Sequence, residues 1–265
     1  MIVDIHVHTR CRGHRYDEEH VAEIMRLGRR AGVVRAVQMF NLMGSSAGDR
    51  GPSEEDVYAN NSLTMELVRR HPDFYLGFCF LNPANDPGFN LSEIERTIAR
   101  GNLTGIKFWA WVKADDPRHD PLLERARELR VPILYHSFYN NYPVYNESTP
   151  AEIGNLARRH PEVPIIMAHL GGAGWRGVMD IKHTPNVVVD TSGAPPCAGL
   201  IEYAVQELGP ERVVFGSDWP PRDFAVAKAR VMGANLSERE KAMIMAENAI
   251  RILRLDELKG GAHSA

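Results

Sequence analysis

The strongest constraint on this chain is a repeated alternation. Short apolar runs rich in β-branched residues recur at Ile2–His8, Val33–Phe40, Phe74–Leu81, Thr104–Trp111, Val131–Ser137, Pro164–His169, Asn186–Thr191 and Val213–Asp218. Between them lie Asp17–Ala31, Glu54–Arg70, Leu91–Arg100, Pro121–Arg130, Pro150–Arg159 and Leu200–Leu208, where apolar residues return every three or four positions and charge fills the other face. Strand followed by helix, again and again, builds βαβ units around a parallel sheet. Eight such runs, the first at the very start, predict an α/β chain closed as a single (β/α)8 TIM barrel rather than an open doubly wound sheet. The 265 residues are close to the ~250 typical of that barrel. Residues 1–258 are expected to form this one domain, and 259–265, with two glycines and small polar residues, a frayed tail. Arg69-Arg70-His71-Pro72 and Arg158-Arg159-His160-Pro161 repeat one stop pattern, so His71 and His160 belong to helix ends.

Composition excludes several classes. A net charge of −3 gives no long-range pull toward nucleic acid or acidic membranes. Cys11, Cys79 and Cys197 form no CxxC pair, so neither a disulfide framework nor a zinc ribbon is indicated. No basic leader and no apolar run of ~20 residues is present, which points to a cytoplasmic protein. A small molecule is the expected partner, and a homo-oligomer is compatible with the composition.

The first strand carries the chemistry. In Val3-Asp4-Ile5-His6-Val7-His8 apolar and polar residues alternate, so a strand places Asp4, His6 and His8 on one face. In a barrel that face is the interior, and its C-terminal end is where barrel enzymes keep their active sites. Two histidines at i, i+2, about 7 Å apart along the backbone, can converge on one metal ion. His136 and His169 end the fifth and sixth predicted strands, and Asp218 ends the eighth. Buried ionisable groups are costly unless paired or metal-bound, so this set calls for a cation.

The words Asp4-Ile5-His6-Val7-His8, Ala168-His169-Leu170-Gly171-Gly172, Val189-Asp190-Thr191-Ser192, Phe215-Gly216-Ser217-Asp218-Trp219-Pro220 and the closing stretch Ala246–Leu253 stand in order along the chain. Together they resemble the amidohydrolase superfamily, in particular its amidohydrolase-related branch of small metal-dependent hydrolases and aminocarboxymuconate semialdehyde decarboxylase-like enzymes. The resemblance implies that His6, His8, His136 and Asp218 hold one divalent metal, with His169 as a nearby acid, base or carbonyl-polarising group or as ligand to a second metal. Binuclear members carry a carboxylated lysine on the fourth strand, where this chain has Lys107. The default here is an uncarboxylated lysine and a single ion, with zinc favoured by imidazole and carboxylate donors and manganese or iron as alternatives.

A metal-activated water then suits amide or ester (lactone) hydrolysis, with Asp218 as proton shuttle and His169 polarising the carbonyl. A metal-dependent non-oxidative decarboxylase of a small aromatic or unsaturated acid is the alternative, disfavoured by the short chain. A catalytically inactive metal-binding barrel is the alternative of another class. Specificity is expected in the loops after the strands, at Arg10, Arg12, His14, Tyr139, Trp175, Arg176, Trp219 and Arg222, whose aromatics and guanidiniums suit a small planar or carboxylated substrate. Cys11 lacks an assigned base and is not expected to act as a nucleophile. His20, His119, His183 and His263 read as surface residues.

Overall fold

A computed structural model describes residues 1–12, 15–42, 51–139, 146–193 and 197–256. His14, His263 and the expected tail lie outside this set, and the side chain of Arg12 is likewise not described.

β1 (Ile2–Arg12) pairs in parallel with β3 (Val33–Leu42) and turns back on itself through the short antiparallel β2 (Arg15–Tyr16). The third barrel strand is interrupted at Phe78, giving β4 (Tyr75–Gly77) against β3 and β5 (Cys79–Phe80) against β6 (Ile106–Phe108). The order then runs through β7 (Ile133–Tyr135), β8 (Ile165–Met167), β9 (Val187–Asp190) and β10 (Val213–Val214), all parallel. The Phe78 amide donates to the Gln38 carbonyl at 2.9 Å, which bridges the interruption. Closure comes at the other seam: Ile5 N donates to Phe215 O at 3.0 Å, Asp218 N to His6 O at 2.8 Å and His8 N to Trp219 O at 2.7 Å. The chain is therefore a closed (β/α)8 barrel, as the alternation predicts.

The helices follow their capping chemistry. Asp17 accepts from His20 N to open α1 (Glu18–Ala31), and Ser53 and Asp56 cap each other's backbone to open α2 (Glu54–Arg70). α3 (Pro87–Ile94) runs on into a π-helical turn, Glu95–Ala99, and is followed by α4 (Asp120–Leu129) and α5 (Pro150–Arg159). α6 (Leu170–Ile181), α7 (Leu200–Leu208), α8 (Phe224–Met232), α9 (Glu238–Ala242) and α10 (Asn248–Ile252) complete the ring. His71 and His160 do stand at the C-caps of α2 and α5. No helix among the described residues is long and apolar enough to cross a membrane.

Two differences matter. α6 is not evident from the sequence because its first turns are rich in glycine, which breaks the apolar period. Gly172 is needed there for close approach, since a Cβ would stand 2.7 Å from the Phe138 ring. His20 and His119 are buried rather than exposed. His20 Nδ1 accepts from the Arg10 amide at 3.0 Å, and His119 Nδ1 donates to the Asp116 carbonyl at 3.0 Å. Each ring has a local backbone partner, which lets it enter the interior without a stranded polar group on that side.

Candidate active site

Strand ends deliver the ionisable groups to one place. His6 and His8 come from β1, His136 directly follows β7, His169 lies two residues beyond β8 at the start of α6, Asp190 ends β9, and Asp218 follows β10. The His6 ring centroid is 5.0 Å from those of both His8 and His169, and His136 is 4.7 Å from His169. His169 and Asp218 hold left-handed backbone, with φ of 69° and 61°. Non-glycine residues rarely adopt it, and it persists where surroundings over-determine it. Here the His169 amide donates to Asp190 Oδ1 at 2.9 Å, and the Asp218 amide to the His6 carbonyl.

Hydrogen-bond accounting fixes which ring nitrogens face inward. His6 Nδ1 lies 2.7 Å from Asp190 Oδ2, and a carboxylate only accepts, so Nδ1 carries the proton and Nε2 keeps its lone pair. Ser192 Oγ donates to Asp190 Oδ1 at 2.5 Å and so accepts from His169 Nδ1 at 2.9 Å. His136 Nε2 donates to Glu147 Oε1 at 3.0 Å. The remaining nitrogens, His169 Nε2 and His136 Nδ1, then face each other as bare lone pairs at 3.0 Å. Lone pairs in contact repel unless a positive charge sits with them. This donor set therefore fits a cation, with outward carboxylates and a hydroxyl orienting the imidazoles.

The spacing fits as well. Ligands at ~2.05 Å around a tetrahedral ion stand about 3.3 Å apart. The His6 Nε2–His8 Nε2, His8 Nε2–Asp218 Oδ1 and His6 Nε2–Asp218 Oδ1 separations are 3.1, 3.4 and 3.6 Å. His6, His169 and Asp218 likewise offer ligand atoms within 4.8 Å of one another. Protonation favours binding: burial pushes the imidazoles of His8, His136 and His169 below their ordinary range, keeping lone pairs available. Burial opposes ionisation of Asp218, yet the imidazoles around it, His8 foremost, hold its carboxyl below the usual carboxylate range. Burial opposes Asp190 too, and His6 brings it down to about 2.

Lys107 sits on β6, fully buried, with no hydrogen-bond partner for Nζ among the described residues. Burial pushes its ammonium down to about 7, against the pull of Asp190 and Asp218. Phe138 stacks on His136 at 5.6 Å and Trp109 meets it edge-on at 5.9 Å, forming an apolar wall. Of the loop residues expected to meet substrate, Arg176 lies over the Tyr139 ring at 4.9 Å, and Trp219 stacks on Phe224 at 4.8 Å. Trp175 is 46% exposed and packs on Tyr203, and Arg10 is exposed. Arg222 is half-buried on the loop after β10. Burial pushes the Cys11 thiol up to about 12, consistent with its exclusion as a nucleophile.

Asp190, Ser192, Glu147 and Trp109 are site residues not singled out from the sequence, whereas Phe138 lies in the loop after the fifth strand where specificity was expected. Asp190 was within reach, because Val187-Val188-Val189-Asp190 ends a strand on an ionisable group just as the chosen residues do.

The sequence model of the amidohydrolase family matches residues 3–255. The chain belongs to that family. Within it, the gamma-resorcylate decarboxylase of Rhodococcus jostii is 25% identical, over 75% of this chain and 76% of its own. The crystal structure of 2,6-dihydroxybenzoate decarboxylase complexed with 2,6-dihydroxybenzoate superposes with a TM-score of 0.76 at 17% identity, covering 96% of this chain and 99% of that one. The dihydroxybenzoic acid decarboxylase of Polaromonas sp. JS666, with bound manganese and the inhibitor 2-nitroresorcinol, gives 0.76 at 18% identity and covers 97% and 98%.

These relatives overturn the expectation of amide or ester hydrolysis, since the curated similarity falls on decarboxylases. The length argument against that reaction fails with it, because this chain covers 99% and 98% of two decarboxylase barrels.

Proposed function

We propose that the protein is a metal-dependent, non-oxidative decarboxylase of a small aromatic or unsaturated carboxylic acid. The observation that carries this reading is the run of gamma-resorcylate decarboxylases from several bacteria among its curated relatives, at 22–25% identity. In this reading His6, His8, His136 and Asp218 hold a single divalent ion, and His169 stands beside it. The donor chemistry suits zinc, while the manganese bound by a structural neighbour favours trying manganese first.

A divalent ion held there would supply positive charge that favours a carboxylate-bearing substrate. The protein's own groups do the rest. Asp190, Ser192 and Glu147 orient the imidazoles through their outward nitrogens, so the pocket needs no rearrangement when substrate arrives. Phe138 and Trp109 offer aromatic faces to a planar ring and keep water away. As the C–C bond to the carboxylate breaks, its electron pair stays on the ring carbon and carbon dioxide leaves. That carbon takes a proton by way of Asp218 Oδ2, which lies 3.9 Å from His169 Nδ1 and, being ionised at rest, first accepts the proton from solvent. Lys107 is read as an unmodified lysine whose ammonium, when protonated, offsets the charge of Asp190 and Asp218.

The test is carbon dioxide release from a panel of hydroxybenzoic acids, with protein loaded in turn with manganese and zinc. Stoichiometric carbon dioxide and decarboxylated ring from at least one acid is the expected result. A loaded, folded protein that releases none from any of them overturns the reading.

A further inference from the structure

The loop that leaves β6 turns on a backbone conformation that its residue does not favour. Trp111 has a φ of 79°, in the left-handed region that a bulky side chain rarely enters. Such outliers persist only where the surroundings over-determine them, and they gather at working sites. Two contacts hold the Trp111 ring. Gly51, just ahead of α2, lies so close to the indole that a Cβ there would run into it. Trp109 meets the same ring edge-on, with centroids 4.9 Å apart.

What this turn holds converges on His136. Trp109 meets the His136 imidazole edge-on at 5.9 Å. The Trp111 carbonyl accepts from Asn146 Nδ2 at 3.2 Å, and Asn146 precedes Glu147, the acceptor for His136 Nε2. The next three residues repeat the pattern. The Val112 carbonyl accepts at 2.7 Å from the hydroxyl of Tyr135, the residue before His136. Lys113 Nζ donates to the Glu147 carbonyl, and the Ala114 amide donates to Ser148 Oγ at 2.9 Å. The stretch from Trp109 to Ala114 therefore bears on the His136 ring, on the residue before it, and on the segment that carries its acceptor. His6 takes its outward acceptor from Asp190, which is fixed at the end of β9. Glu147 instead lies on the connection between β7 and α5, and is held only as firmly as what it rests on.

We propose that Trp111 is a positioning residue for His136: its left-handed turn fixes the loop after β6, which sets Trp109 against the imidazole and Glu147 on its Nε2. The turn thereby leaves Nδ1 as the inward lone pair of that ring. This deepens the reading of His136 as a metal ligand and rests on it only for the consequence in metal affinity.

The test reads the imidazoles directly, by nitrogen NMR of metal-free, histidine-labelled protein, beside calorimetric titration with manganese. Trp111→Gly removes the indole yet takes up the left-handed turn at no steric cost, so the barrel should fold. Wild-type His136 should show one tautomer, with the proton on Nε2. In Trp111→Gly that signature should give way to mixed tautomers, while His6 and His169 keep theirs. Manganese affinity should fall about tenfold or more, the scale expected for loss of a group that orients a ligand. Trp111→Phe, which keeps an aromatic face toward Gly51 and Trp109, should restore most of both. Should Trp111→Gly melt early, Asn146→Ala carries the same expectation, since it removes only an exposed donor to the Trp111 carbonyl. Mixed tautomers in wild-type His136, a single tautomer in the folded variant, or equal changes at His6, His136 and His169 overturn the proposal. Loss of the His136 signature with manganese affinity intact upholds the positioning and overturns His136 as a ligand instead.

Discussion

In His6, His136 and His169 one ring nitrogen donates to a fixed acceptor and the other turns inward, so the proton positions are set before any ligand arrives. That pre-setting separates holding an ion from moving a proton. If His169 acts on substrate, His169→Asn should lower turnover by roughly 10²-fold or more while metal content stays near normal. Metal lost in parallel with activity, read by atomic emission on the purified variant, would make His169 a ligand instead. Asp218 is proposed to do both jobs, one oxygen facing His6 and His8 and the other facing His169. An amide keeps a carbonyl oxygen for the ion but accepts no proton near neutral pH. Asp218→Asn, supplied with metal until saturated, should therefore lose ~10²–10⁴-fold in kcat. Near-normal kcat in the saturated variant would leave Asp218 as ligand alone.

Elements are joined by buried polar residues that the barrel could not otherwise tolerate. His119, on a short 3-10 turn (Pro117–His119) before α4, is wholly buried between Phe108 of β6 and Tyr135 of β7. Burial pushes its pKa down to about 4, against the hydrogen bond to the Asp116 carbonyl. An unfolded chain takes up this proton near pH 6.5, so between 6.5 and 4 the unfolded state binds more protons than the folded one. Stability from neutral His119 is thus present above 6.5 and lost as pH falls toward 4. From pH 7 to pH 5 this one group should remove about 2 kcal/mol, and His119→Gln should flatten that part of the profile. Urea melts at the two pH values decide it: equal slopes for wild type and variant would remove His119 as the cause. The same turn shows where sequence reading failed, because a histidine between Arg118 and Asp120 has every mark of a surface residue. Only the packing of two strands against it makes it interior.

Across the whole molecule, the candidate metal site ties the first strand to the last seam and to the fifth and sixth strands. An ion bound there favours the folded state by mass action, about 2.7 kcal/mol at a hundredfold excess over Kd. At this chain length that corresponds to a Tm increase of roughly 5–10 °C. Adding manganese to chelator-treated protein should raise Tm by that order, and His6→Ala with His8→Ala should abolish the shift. A Tm indifferent to manganese, zinc and chelator alike would count against any ion in the cluster.

How far the sequence reached follows from the range of each interaction. Period-two alternation and helical spacing are local, so the barrel, β1 and the sites of His6, His8, His136, His169 and Asp218 at strand ends were legible without a fold. The interruption at Phe78, the glycine-led start of α6 and the burial of His20 and His119 were not, because each depends on what another element presses against it. Nor could spacing reveal that Asp190 sets the His6 tautomer from 184 residues away, or that Glu147 does so for His136. Residue type and order determined which groups could bind a cation. Only closure of β10 on β1 decided that Asp218 meets the inward nitrogens of His6 and His8.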